Sequence, residues 1–232
     1  MSPAQPASEK SKLNQDLISQ ASYWMLFKLI LPKGPQPERT NPIVDRRAVM
    51  VTLRGHFLIA TPAIDRGFFN RSLTYLCRHD ENGAMGIVVN QRLDITFDEM
   101  FQHLEIPTDP EIPDYPILAG GPIRKDHGFV LHSSAGDWQG GQAVHHDISL
   151  TTSRDILWAL AKGEGPQECL VALGYAGWAA GQLEAEIADN SWLTVAADRQ
   201  TLFHAATSKK LAEAGRMLGI DVDLLTADAG HA

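Results

Sequence analysis

Short apolar blocks broken by Gly, Pro, Asn and Asp run through the chain from residue 53 onward, a rhythm that predicts strands alternating with short helices. Residues 53–60 (LRGHFLIA) read as a buried strand, with Pro62 and Gly67 marking the loop behind it. Residues 73–79 (LTYLCRH) and 84–90 (AMGIVVN) flank Asp80, Glu81, Asn82 and Gly83, and the Asn-Gly pair predicts an antiparallel hairpin. Phe97, Met100, Phe101 and Leu104 form a helical stripe, and Thr96 with Glu99 stands at capping-box spacing in front of it. Ile117 and Leu118 lead into Gly120-Gly121-Pro122, where the glycines suggest a bend or a close backbone approach, and residues 128–132 (GFVLH) supply another strand.

Farther on, Thr152, Ser153 and Asp155 open a helix that runs to about Lys162, with Gly163 placed to end it. Residues 169–173 (CLVAL) fit a strand covered on both faces, and residues 174–181 (GYAGWAAG) read as a glycine-rich turn. Residues 182–188 predict a helix, 192–196 a strand, and the remainder is helical around Leu202, Phe203, Leu211, Met217 and Leu218. The fold class expected is α+β, a mixed and partly antiparallel β-sheet with helices packed on it. There is no internal repeat. Ahead of this unit, the apolar run 23–31 is interrupted by Lys28 and too short to span a bilayer, and residues 32–44 read as a Pro-rich linker. The expected division is therefore an extension and linker over residues 1–50, then a domain over 51–232.

Composition narrows the function. With 20 basic against 28 acidic residues the formal charge is −8, which opposes the general attraction to phosphate backbones. The pairs Arg46-Arg47 and Lys209-Lys210 read as solvated surface, so direct nucleic-acid binding is not expected. Two cysteines, without a cleavage pattern after the apolar run, indicate reduced thiols and a cytoplasmic protein.

Several segments in order carry a family pattern: GHFLIATP from Gly55, NGAMGIVVN from Asn82, GGP from Gly120, GFVLH from Gly128, TTSRD from Thr151, LVALGYAGW from Leu170, GQLEAEI from Gly181 and NSWL from Asn190. Together they resemble the AlgH (YqgE) family, over nearly all of the chain after Leu53. The resemblance implies a mixed α/β fold in a bacterial cytosol and no established chemistry, the family being usually labelled as transcriptional regulators without an agreed activity. Residues 1–50 have no counterpart in that pattern, and Met50 lies where such a domain would start.

Among candidate reactive groups Cys77 stands out, because strand alternation places His79 on its face about 7 Å along. A nearby positive group would activate the thiol, whereas apolar burial would make it inert. With a loop of Asn82 and Gly83 alone, Cys77 faces Val88; with Asp80 through Gly83 in the loop, it faces Gly86. Cys169 reads as core. Gly120, Gly121, Tyr175, Gly177 and Trp178 are candidate ligand- or partner-binding positions, although the glycine spacing of 174–181 matches neither dinucleotide nor P-loop fingerprints. Glu184 and Glu186 lie about 200° apart on their helix and read as ordinary surface charge. His145 and His146 would point to opposite strand faces, and no helix pairs histidines as metal ligands at i and i+4, so neither metal nor cofactor is expected. The leading expectation is a non-enzymatic regulatory or adaptor protein with an unknown protein or small-molecule partner. The alternatives are a thiol-based sensor or enzyme at Cys77 and a direct DNA-binding regulator.

Overall fold

The Asn-Gly hairpin forms in the computed structural model, which describes residues 52–109, 112, 115–133 and 136–225. The extension and linker expected over residues 1–50, including Arg46 and Arg47, lie outside the described residues. Strands β2 (Leu73–Asp80) and β3 (Gly83–Val88) turn through Glu81 and Asn82, with the Asp80 carboxylate accepting from Asn82 N–H at 2.8 Å. Leu76 pairs with Gly86 but Arg78 pairs with Met85, which makes Cys77 the extra residue of a β-bulge. That bulge corrects the expected alternation. Tyr75 and Cys77 enter one core, whereas His79, paired to Ala84, faces the other.

Strand β1 (His56–Ala60) pairs antiparallel with β2 on one side and with β9 (Trp192–Ala196) on the other. Beyond β3 come β8 (Cys169–Ala179), β5 (Ile123–Ser133), β7 (Ile148–Thr151) and β6 (Gln142–His145), while β4 (Ile117–Ala119) pairs with β8 in parallel. The described residues thus make a mixed, mainly antiparallel sheet. It curls on itself, so that Val144 of β6 shares a core with Phe57 of β1 and Tyr75 of β2.

The glycine-rich turn expected at 174–181 is instead mostly strand. β8 runs on to Ala179, first between β5 and β4 and then, from Ala176, against β3. Gly174 makes the joint with a φ of +76°, a conformation that side chains disfavour. At Gly121 a Cβ would fall inside the Tyr175 carbonyl group, so these two backbones cross at a distance only glycine permits.

Four α-helices occur among the described residues. The capping box forms as its spacing predicts on α1 (Phe97–His103), with Glu99 N–H donating to Thr96 Oγ1 at 3.1 Å and Thr96 N–H to Glu99 Oε2 at 2.8 Å. Helix α2 (Arg154–Ala161) is tied to α1 by an Arg154 guanidinium bond to the Leu104 carbonyl at 3.2 Å. Leu183 of α3 (Gln182–Ala188) joins Leu58, Leu76, Trp178 and Trp192 on the outer face of the sheet. On the inner face, Leu211 and Ala214 of α4 (Lys210–Met217) close the core with Leu202. The segment before α4 is not one helix but a π-helical turn (Gln200–His204) and a 3₁₀ turn (Thr207–Lys209), and Met217 and Leu218 end up exposed rather than in the core. Among the described residues no helix is long and apolar enough to cross a membrane.

Gly121→Ala should therefore cost at least about 3 kcal/mol in urea denaturation, or prevent folding, because backbone rather than a side-chain tip must move. Gly163→Ala, with a φ of +70° but open space around it, should cost only about 1 kcal/mol.

Candidate functional site

Residues that sequence reasoning singled out as chemical are mostly built into the frame. Cys77 is 7% exposed, packs in the inner core and directs its Sγ toward the Tyr75 carbonyl at 3.6 Å. Burial pushes its thiol far above the ordinary range. His79, expected to serve as its base, has both nitrogens engaged elsewhere. Leu53 N–H donates to Nδ1 at 2.9 Å, which leaves Nε2 to carry the proton and donate to Glu184 Oε1 at 2.7 Å. Burial also pushes Cys169 up to about 12.

Gly120, Gly121, Tyr175 and Gly177 do come together, at the crossing of the β4 exit over β8. Tyr175 packs edge-on against Phe129 at 5.6 Å on the inner face. Trp178 lies on the opposite face of the same strand, 7% exposed, among Leu183, Phe69 and Trp192. The two side chains do not share a surface. Glu186 explains the burial of the tryptophans: its Oε2 accepts from Trp178 Nε1 and from Trp192 Nε1, each at 2.8 Å. Glu184 and Glu186 are thus fasteners for α3, not idle surface charge. What could have flagged Glu186 is its i+3 relation to the buried Leu183.

His145 and His146 meet at 3.9 Å between ring centroids, because His146 adopts a φ of +46° in the turn after β6 and leaves the strand alternation. Among the described residues no group of three potential ligands could hold a metal.

A cleft of about 440 Å³ opens where the start of β8, the residues before β4 and the segment from the π-helical turn to α4 converge. Its lining includes Lys210, the second member of a pair expected to be solvated. The structure corrects that expectation. Lys210 is 1% exposed, its Nζ donates to the Leu202 carbonyl inside the π-helical turn, and desolvation pushes its pKa down to about 8. The signal available in the sequence was its position one turn before Ala214 on the apolar face of α4.

Glu168, at the foot of β8, anchors the cleft wall. Its Oε1 accepts from His204 Nε2 at 2.6 Å and its Oε2 from Arg199 Nε at 2.7 Å, and Arg199 also pairs with Asp147. These bonds hold the π-helical turn against the sheet. Arg92 stands on the rim, exposed and without an ion pair among the described residues. The cleft thus joins a buried amine, a braced carboxylate and an exposed guanidinium in one concave site.

Residues 57–223 match a family model described as AlgH-like. A UPF0301 protein of Thioalkalivibrio sulfidiphilus is 50% identical over 176 residues, which are 76% of this chain and 95% of that protein. One from Saccharophagus degradans is 49% identical over 182 residues, 78% of this chain and 90% of its own. The solution structure of the AlgH protein from Pseudomonas aeruginosa is similar at a TM-score of 0.65 and 41% identity, over 81% of this chain and 100% of that one. A crystal structure of a Corynebacterium diphtheriae protein has the same fold at a TM-score of 0.54 and 18% identity, over 78% of this chain and 89% of that one.

Two measurements check the electrostatics. Alkylation of Cys77 and Cys169 in the native protein should stay slow at every pH below 9 and become fast on unfolding; a midpoint below the usual ~8.5 for Cys77 would contradict its burial. An unfolded lysine titrates near ~10.4, so between there and about 8 the unfolded chain holds the extra proton and the contribution of Lys210 to stability improves with rising pH. The stability of the wild type relative to Lys210→Met should therefore rise by about 2 kcal/mol between pH 8 and 10 and stay flat below pH 7.

Proposed function

The chain belongs to the AlgH-like family, and from that membership and the geometry of the cleft we propose that it is a cytoplasmic, non-enzymatic regulatory or adaptor protein governed by a small ligand bound over Lys210. The observation that carries this reading is a concave site in which a buried amine and a braced carboxylate are held by packed secondary structure. Preorganisation of that kind favours binding, since little ordering remains to be done when the ligand arrives. A regulatory consequence follows from the parts involved: the π-helical turn and α4 form both a cleft wall and a lid on the inner core, so an occupant bears directly on how that segment packs.

Thiol chemistry at Cys77 is the weaker alternative, because a thiol held protonated by burial is a poor nucleophile. Direct DNA recognition is weaker too: the charge of −8 opposes it, and Lys210 is withdrawn from the surface. Any influence on transcription would then pass through a ligand or a protein partner.

Native mass spectrometry of the purified chain after incubation with a pooled bacterial metabolite extract should show a retained small molecule that is released unchanged. Amide shifts on rebinding should centre on residues 167–170 and 203–210. Turnover of the retained compound, or shifts confined to the β2–α3 region, would overturn the reading.

A further inference from the structure

Charges are unequally distributed in the cleft. Its lining holds one carboxylate, Glu168, and both oxygens of that group are already occupied by His204 and Arg199. Two cations line the cleft as well. Arg92 is exposed and has no ion pair among the described residues, and the Lys210 ammonium, with three N–H groups, has one acceptor among them, the Leu202 carbonyl. A buried ammonium short of acceptors is costly and gains most from an anion placed beside it. The rest of the wall is different in kind: Pro116, Leu170, Phe203, Ala205 and Ala206 present apolar surface.

On the reading that this cleft is a ligand site, we infer that it binds small organic carboxylates with an apolar body, the carboxylate reaching between Lys210 and Arg92 and the hydrocarbon lying along Leu170 and Phe203. The chemistry is complementary on both counts. A carboxylate supplies acceptors to the buried Lys210 ammonium and a charge partner to Arg92, whose planar fork suits it, and the body covers apolar wall that would otherwise face water. A compact, fully hydrated anion would use only half of the site. Desolvation lowers the Lys210 pKa, so an adjacent negative charge would raise it again, and occupancy is coupled to retention of the proton.

The test uses the full chain with hexanoate, hexanamide and inorganic phosphate as probes, followed by amide chemical shifts and thermal unfolding at pH 7. Hexanoate should raise the melting temperature and shift residues 168–170 and 203–210. Hexanamide, of the same shape without the charge, should bind at least about tenfold more weakly. Arg92→Gln, an exposed change that leaves the core alone, should weaken hexanoate by about tenfold, and Lys210→Met by at least as much if it folds. Hexanamide binding as tightly as hexanoate would overturn the carboxylate assignment while leaving the cleft a ligand site. Phosphate displacing hexanoate at equal concentration, or an unchanged affinity in Arg92→Gln, would overturn it as well. No shift with hexanoate at millimolar concentration would also overturn it, whereas failure of the metabolite-extract experiment would remove the ligand-site reading itself.

Discussion

Strand β8 can serve two halves of the sheet because no side chain stands where it bends. From Cys169 to Leu173 it lies between β5 and β4, and from Ala176 it lies against β3; Gly174 turns it, and Gly121 lets the exit of β4 touch its backbone. A residue with a Cβ at that crossing would force the two backbones apart and separate the halves. The cleft depends on the same joint. Its wall begins at Cys169 and Leu170, and the approach to β4 supplies Tyr115 and Pro116, so the pairing of β4 with β8 fixes the distance between opposite sides.

Polar groups divide into two kinds in this molecule. One kind fastens layers: Glu186 joins two indoles from β8 and β9 to α3, and His79 ties the hairpin tip both to Glu184 and to the backbone at Leu53. Their hydrogen bonds are complete, which is why they can be buried or half-buried at modest cost. The other kind lines the cleft: Lys210 is buried with the Leu202 carbonyl as its one acceptor among the described residues, and Arg92 is exposed without an ion pair there.

Local chemistry made much of the fold legible in advance. The hairpin at the Asn-Gly pair, the Thr96–Glu99 capping box, the α3 helix and strand β9 all follow from neighbours within a few residues; the last three appear where their patterns place them, and the hairpin turns one residue early, through Glu81 and Asn82. What was not legible depends on partners far along the chain. The bulge at Cys77 is a relation between two strands and undoes any inference from alternation on one of them. Residues 174–179 look like a turn because Gly174, Ala176, Gly177 and Ala179 interrupt the aromatics, yet Gly174 is a glycine because the β4 exit passes against it. The site was the least legible part. Lys210 carries no motif, and its burial follows from the π-helical turn folding over it.

The pairing of β1 with both β2 and β9 has a consequence for synthesis. One edge of β1 finds its partner within twenty residues, between Phe57 and Tyr75, whereas the other waits for Thr194 and its neighbours, so Leu58 must be made long before its second ladder exists. On the ribosome the β1–β3 meander therefore carries an open edge until β9 has been made. An unpaired strand such as β1 is a template for intermolecular pairing, so nascent chains of this protein should depend on holding factors, or on slow, dilute production, until residue 196 has emerged.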